Sequence, residues 1–359
     1  MCSIGKDDVR RNRMKIAFIL PGRGRSGGVR CTVIAGNYLR RRGHSVRIFY
    51  QRAPASLRNG AQWLWYKMRY ASRCDWLDLF EGDILGYRDL ADCSFAPDEI
   101  IVTVGMWCSA RVGRINSRDA LKVQYLHGLS PWAPDDMKIA LEMKVPKIAV
   151  SSWVAEAVIR EGKGRLLGVV PNGVDTSEYF ASCSEDERNG VGTIFSNHPA
   201  KDPETTLAVL ARLRKDLPGV PQYVFGACSR PSGIPKETYV RFPTLTGAVD
   251  RYSRSLVWIL ASQWEGFPGP VLESMACGCA VVATDCRGVR DIITDGENGF
   301  VVDVGDVEQL VERIKLLLND NGLRQQMVNK AKQTIHQFSW ENSVDQLEDV
   351  LKLLISKAI

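Results

Sequence analysis

Short, almost wholly apolar runs recur along the chain, each followed by a glycine- or proline-rich turn and then by apolar residues three or four positions apart. Residues 15–20 (KIAFIL) are the first such run, and PGRGRSGG follows at 21–28. In the next stretch, 29–42, Val29, Val33, Ile34 and Leu39 recur at helical spacing. The pattern predicts strand, glycine loop, helix. Residues 45–50 (SVRIFY) resume as a strand after Gly43 and complete a βαβ unit of the doubly wound type. Runs at 100–104 (IIVTV), 121–126 (LKVQYL) and 147–150 (KIAV) extend it to a parallel sheet.

The pattern then starts again. VGTIF at 191–195 is followed by an amphipathic helix over 203–217 and by strands at 222–225 (QYVF), 256–260 (LVWIL) and 280–283 (AVVA). Residues 169–190, with Pro171, two glycines and SCSEDERNG, have the composition of a linker. The tail from 306 to 359 reads as helical, with breaks near 319–322 and at Ser339. The expected class is α/β, with two doubly wound (Rossmann-like) domains facing across a cleft formed at the carboxyl ends of their strands, where such sheets bind ligands. The expected division is a tail at 1–13, a first domain at 14–168, a second at 169–335 and a final segment at 336–359.

Composition narrows the function classes. The 359 residues are 45% hydrophobic and 25% charged, ordinary globular values for more than one domain. No apolar run is long enough to span a bilayer, and the polar first thirteen residues lack the apolar centre of a secretory signal, so a cytoplasmic chain is expected. Ten cysteines include no C-x-x-C pair, so free thiols are expected and no zinc site. The net charge of +6 is unevenly spread: residues 1–150 carry 25 Lys/Arg against 14 Asp/Glu, and residues 151–359 carry 22 against 27. A basic half beside an acidic half points to an anionic partner for the first.

The densest chemistry lies at 262–285, SQWEGFPGPVLESMACGCAVVATD. Glu265 precedes a Gly-Phe-Pro-Gly-Pro turn, a helix is expected to begin near Pro270, and Glu273 falls in its first turns. A helix opening on glycine and proline leaves backbone N–H groups unpaired, which suits a diphosphate. If both glutamates lay on one helix they would stand about 12 Å apart, beyond the roughly 5 to 9.5 Å of a glycosidase acid pair.

This segment resembles the retaining glycosyltransferases of the GT-B fold, family 4 (glycosyl transferases group 1), whose signature is two glutamates in an E-G-F-x-x-x-x-L-E setting. Glu265 and Glu273 match it. The resemblance implies that Glu265 contacts the donor sugar hydroxyls and Glu273 the nucleotide ribose, with Gly266, Phe267, Pro268, Gly269, Pro270, Val271 and Leu272 forming the donor-binding turn between them. A carboxylate suits vicinal hydroxyls because it accepts both hydrogen bonds.

Further matches span residues 14 to about 354. The loop 22–28, with Gly27 and Gly28, resembles the family's Gly-Gly loop near the donor phosphates, and His127 in QYLHGLSPW matches a histidine near the reacting carbon. Residues 171–175 (PNGVD) match a linker motif, read as a turn with Asn172 or Gly173 in the left-handed region. Lys201 aligns with a lysine that neutralises the leaving diphosphate without a metal. The family's arginine five residues earlier is replaced here by Ser196, a loss worth about 3 kcal/mol at the transition state unless His198, Arg230 or another base substitutes. The absence of D-x-D at a strand end predicts no obligatory metal. Cys277 and Cys279 read as small buried residues, while Arg287 and Arg290 suit either ligand contact or solvent. The tail after Trp340 resembles the helix that crosses back to the first domain.

Between 51 and 80, Trp63, Trp65, Tyr66, Tyr70, Trp76 and Phe80 alternate with Arg52, Arg58, Lys67, Arg69 and Arg73. That mixture suits either an interfacial helix on anionic lipid or packing over the first core.

The implied activity is transfer of a hexose, with retention and without a cofactor, from a nucleotide diphosphate sugar to a carbohydrate or lipid-linked acceptor in cell-envelope polysaccharide or glycoconjugate synthesis. His127, Glu265 and Lys201 are the expected catalytic residues. An anionic membrane surface, the inner face of the cell membrane, is a further candidate partner; nucleic acid is not expected, since no such motif occurs. A nucleotide-sugar epimerase of the same fold and a non-catalytic sugar-nucleotide-binding scaffold are the alternatives.

Overall fold

The computed structural model describes residues 13–52, 64–65, 68–69, 75–117 and 119–357. It divides into two compact units, one comprising Met1–Pro171 with Ser343–Ile359 and the other Asn172–Asn342.

In chain order the first unit holds β1 (Lys15–Leu20), α1 (Gly27–Arg41), β2 (Ser45–Gln51), β3 (Asp83–Tyr87), β4 (Glu99–Val104), α2 (Met106–Ala110), β5 (Leu121–Leu126), α3 (Pro134–Glu142), β6 (Lys147–Ala149), α4 (Ser152–Glu161) and β7 (Leu166–Val169). Its seven strands lie in the order β3-β2-β1-β4-β5-β6-β7, every neighbouring pair parallel. The central strands read as unbroken apolar runs because both faces are covered: all six residues of β4 are buried.

The second unit holds β8 (Gly190–Phe195), α5 (Pro203–Asp216), β9 (Gln222–Gly226), β10 (Tyr239–Arg241), α6 (Leu245–Arg254), β11 (Ser255–Leu260), α7 (Gly269–Ala276), β12 (Ala280–Thr284), β13 (Phe300–Val302), α8 (Val307–Asn319) and α9 (Asn321–Ile335). A final helix, α10 (Trp340–Ser356), belongs from Ser343 onward to the first unit. The second sheet runs β10-β9-β8-β11-β12-β13 and is also parallel throughout. Its core joins Val191, Val257, Ile259 and Val282 to Leu310, Ile314 and Leu317 of α8.

Each sheet reverses its direction of growth once, between β1 and β4 in the first and between β8 and β11 in the second. Loops leaving the carboxyl ends of those strand pairs are where a doubly wound sheet receives a ligand.

Strands β3, β7, β10 and β13 are not foreshadowed by the apolar pattern, because they are short and lie at or beside an edge. At the start of the linker-like stretch 169–190, Val170, Asn172, Val174 and Tyr179 are buried. Neither Asn172 nor Gly173 is left-handed. Glycine is required at 173 for space: a Cβ there would lie 2.5 Å from Trp340 N and 2.6 Å from the Ser339 carbonyl carbon. Residues 1–12, Cys74, and Arg58, Trp63, Tyr66, Lys67, Tyr70 and Arg73 of the aromatic-basic stretch lie outside the described residues.

Candidate active site

In the second unit the loops after β8 and β11, the two strands at the switch point, are tied together by backbone. Ala200 O accepts from Gln263 N at 2.9 Å and from Trp264 N at 3.1 Å. Asp202, at φ +45°, caps α5 by accepting from Thr205 N and also accepts from Gln263 Nε2 at 3.2 Å. Its cap fixes the end of the short turn Pro199–Lys201, and so places Lys201.

Glu265 is 8% exposed, and its Oε1 accepts from Lys201 Nζ at 2.5 Å and Ser262 Oγ at 2.7 Å. Oε2 makes no hydrogen bond with any described residue, and Lys201 keeps 39% of its side chain in solvent. A buried carboxylate is tolerated here because a cation and a hydroxyl share one oxygen while the other remains an acceptor. The backbone behind it has no slack. Glu265 N donates to Cys286 O at 2.9 Å, and a Cβ on Gly288 would lie 2.2 Å from Gly266 O.

Glu265 precedes α7, which begins at Gly269, so the 12 Å helical separation of the two glutamates does not apply. Glu273 lies inside that helix, 6% exposed, and accepts from the Tyr252 hydroxyl at 2.7 Å. Tyr252 is fully buried on α6, its ring 4.2 Å from that of Trp258 and 5.5 Å from that of Phe225. Phe267, Val271 and Leu272 belong to the core, so only their backbone remains for a ligand; the Phe267 ring packs 5.5 Å from Phe338. Pro268 occupies the cap position of α7 without a side-chain cap, and Pro270 carries no N–H.

Ser196, just past β8, accepts from His198 N at 3.2 Å, and His198 Nδ1 accepts from Ala200 N at 3.1 Å. Arg230 lies in the loop after β9, the strand beside β8, and donates to the carbonyls of Pro231 and Ile234, with no carboxylate partner among the described residues. Arg287, at φ +74°, stacks 4.5 Å from the Trp264 ring, while Arg290 pairs with Asp285 at 2.9 Å. Burial holds the Cys277 and Cys279 thiols protonated, the latter pushed up to about 12, and Cys279 donates to Tyr252 O. No group of three His, Cys, Asp or Glu suited to a metal occurs among the described residues.

In the first unit His127 directly follows β5. Its Nε2 is buried without a hydrogen-bond partner among the described residues, its ring is 4.2 Å from that of Tyr125, and loss of hydration pushes its pKa down to about 4. The imidazole is therefore neutral at physiological pH. The glycine loop leaves β1 with Gly24 at φ +119° and Ser26 capping α1, and Gly27 has no atom within 4 Å of a hypothetical Cβ. Asp75 organises this loop, accepting from Gly24 N at 3.1 Å and pairing with Arg23, while Arg25 stacks 4.1 Å from the Trp76 ring. Phe80 is buried against Gly36, and Trp65 is half exposed.

Lys201, Ser262 and Glu265 thus converge in one unit with Glu273 nearby in sequence, and His127, Gly27 and Gly28 occupy the other. Tyr252 and Asp75 were missed by sequence reasoning, because each reaches its partner through the tertiary fold and not through local spacing.

Residues 245–334 match the family model of glycosyl transferases group 1. That segment contains Glu265, Glu273 and Tyr252. Among curated relatives, an N-acetylgalactosaminyltransferase acting on a diphospho-undecaprenol-linked sugar in Campylobacter jejuni is 38% identical over 96 residues, covering 26% of each chain. A phosphatidyl-myo-inositol mannosyltransferase of Mycolicibacterium smegmatis is 27% identical over 219 residues, 55% of each chain. The chain spans from 26% to 29% of the length of the first three curated relatives it matches. Among solved structures, Anabaena Alr3699/HepE with UDP and glucose superposes over 95% of this chain and all of that one, with a TM-score of 0.71 and 18% identity. A point mutant of S. aureus TarM gives a TM-score of 0.73 over 94% of this chain and 99% of that one at 11% identity. The two-unit GT-B fold is the shared feature.

Proposed function

We propose that the chain is a retaining glycosyltransferase that moves a hexose from a nucleotide diphosphate sugar to a carbohydrate or lipid-linked acceptor in polysaccharide or glycoconjugate synthesis, without a metal. The observation that carries this reading is the Lys201–Glu265–Ser262 group at the switch point of the second sheet, with Glu265 inside the family-matched segment. The second unit is the donor-binding half in this reading.

Glu265 Oε2 accepts a sugar hydroxyl, and Glu273, oriented by Tyr252, takes the ribose hydroxyls. Lys201 turns from Glu265 toward the diphosphate as negative charge builds there; its ammonium has three donors and spends one on Glu265. Arg230, bonded only to carbonyls among the described residues, is the candidate for the cation missing at Ser196. The reaction is a same-face displacement in which the departing phosphate helps deprotonate the acceptor. The protein positions the partners and stabilises the leaving group, and no residue becomes a nucleophile. Named activities of the Campylobacter and Mycolicibacterium relatives support lipid-linked acceptors, and the nucleotide and glucose in the Anabaena structure support a nucleotide-sugar donor.

The test is turnover of UDP- and GDP-sugars with diphospho-polyprenol-linked and oligosaccharide acceptors, with and without EDTA, and NMR of the product anomer. Transfer with retention that survives EDTA is expected. An inverted anomer, a nucleotide-linked product or no transfer to any acceptor would each contradict the proposal.

A further inference from the structure

A cavity of about 460 Å³ opens in the first unit at the amino ends of β5, β6 and β7, the end of the sheet away from His127. Five residue steps along β5 at about 3.3 Å each place it roughly 17 Å from the carboxyl end of that strand. A ligand held here is therefore not a substrate of the site described above.

Its charge is one-sided. Lys122, Lys144, Arg165 and Lys357 line it, and no Asp or Glu does. None of the four pairs with a carboxylate among the described residues, and Lys122 donates only to the carbonyl of Ile115 at 2.9 Å. A fifth cation stands behind the wall: Lys147 is wholly buried, and its Nζ donates to Met143 O at 2.6 Å and Val145 O at 3.0 Å. Burial lowers its pKa to about 8, so it remains largely charged at neutral pH and adds to the field.

Apart from Ser117, the remaining lining residues are apolar. Leu121 and Leu167 from the strands meet Leu353 and Leu354 from α10, and only Leu354 is buried. The volume is that of a small-molecule pocket. No aromatic side chain lines it, so it lacks the stacking surface of a single-stranded nucleic-acid site. Cations without carboxylate partners among the described residues, around a half-buried leucine floor, complement one class of ligand, an anionic head carrying an alkyl segment.

We propose that this cavity is a binding site for an amphiphilic phosphate, whose head meets Lys144 and Arg165 at the rim and whose first methylenes lie on Leu167 and Leu353. The head belongs either to a free alkyl phosphate or to an anionic lipid.

Isothermal titration of the full chain with octyl phosphate below its micellar concentration, with inorganic phosphate and with 1-octanol tests this. Octyl phosphate should bind at least tenfold more tightly than either fragment. The double variant Lys144→Glu with Arg165→Glu should weaken it at least tenfold, whereas Lys163→Glu, an exposed lysine outside the lining, should change it less than twofold. Unchanged far-ultraviolet dichroism and melting temperature in the variants establish that they fold. Flotation with phosphatidylglycerol vesicles that the double variant loses assigns the head to a membrane lipid; octyl phosphate binding without flotation assigns a free molecule. Equal affinity of wild type and double variant for octyl phosphate, inorganic phosphate binding as tightly as octyl phosphate, or no binding of octyl phosphate would overturn the proposal.

Discussion

In the second unit, Lys201, Ser262 and Glu265 are bonded to one another and backed by a backbone in which Gly288 touches Gly266. In the first unit, the end of β5 carries His127 with Nε2 buried and unpartnered among the described residues, and the glycine loop has open space around Gly27. One site pairs its charges with each other, Lys201 Nζ with Glu265 Oε1. The other leaves a buried nitrogen without a partner among the described residues, at a cost of about 1–3 kcal/mol that a ligand or water would recover. In the proposed reading, the second half is preformed for a nucleotide sugar, whereas the first is completed by what it binds. Charge follows the same division, +11 over residues 1–150 and −5 over 151–359.

The largest effect should come from breaking the preformed half. Glu265→Gln keeps the shape but loses the charge facing Lys201, and transfer should fall by about 100- to 1,000-fold with little change in melting temperature. A loss under tenfold in initial-rate measurements would show that the ion pair is scaffolding only. Next comes a matched pair of glycines. Gly288→Ala forces a Cβ against Gly266 O and should destabilise the second unit by about 2 kcal/mol or more, whereas Gly27→Ala has room and should move the melting temperature by no more than a degree or so. Equal shifts in the two variants would erase the contrast between tight and open halves.

His127 supplies a pH signature. Its folded-state pKa, about 4, lies below the roughly 6.5 of a free imidazole, so unfolding takes up a proton between those values. Stability should therefore fall as the pH drops from about 6.5 toward 4, with no contribution from this residue above that window. His127→Asn should flatten this part of the stability profile in denaturant titrations across pH 4 to 7. The smallest effect on transfer is expected for Tyr252→Phe, which removes one hydrogen bond from Glu273 and should cost about 1–2 kcal/mol, read mainly as a higher KM for the donor with kcat nearly unchanged.

The fold was largely legible because parallel strands covered on both faces must be continuous apolar runs, and nine of the thirteen announce themselves that way. The three tail helices were equally plain, with breaks at Asp320 and Ser339. Edge strands such as β10, only Tyr239–Arg241, carry too few residues to show a period. At the site, the residue types and spacing of Glu265 and Glu273 were readable, but their bonding was not. Nothing local links Tyr252 to Glu273, twenty-one positions apart, or Lys201 to Glu265, sixty-four apart. Gly173 shows the converse error. A turn motif suggested a left-handed residue, and the true constraint is a neighbouring backbone that no sequence window contains.

The central claim, that the second unit is a preformed nucleoside diphosphate site, is tested most directly by melting the wild type and Glu273→Ala with UDP, GDP, ADP and CMP. A ligand at about 100 times its dissociation constant adds roughly 2.7 kcal/mol, a shift of several degrees. One diphosphate raising the melting temperature of the wild type, with the shift lost in Glu273→Ala, is the predicted result. Silence from all four nucleotides, or an equal shift in both proteins, would contradict it.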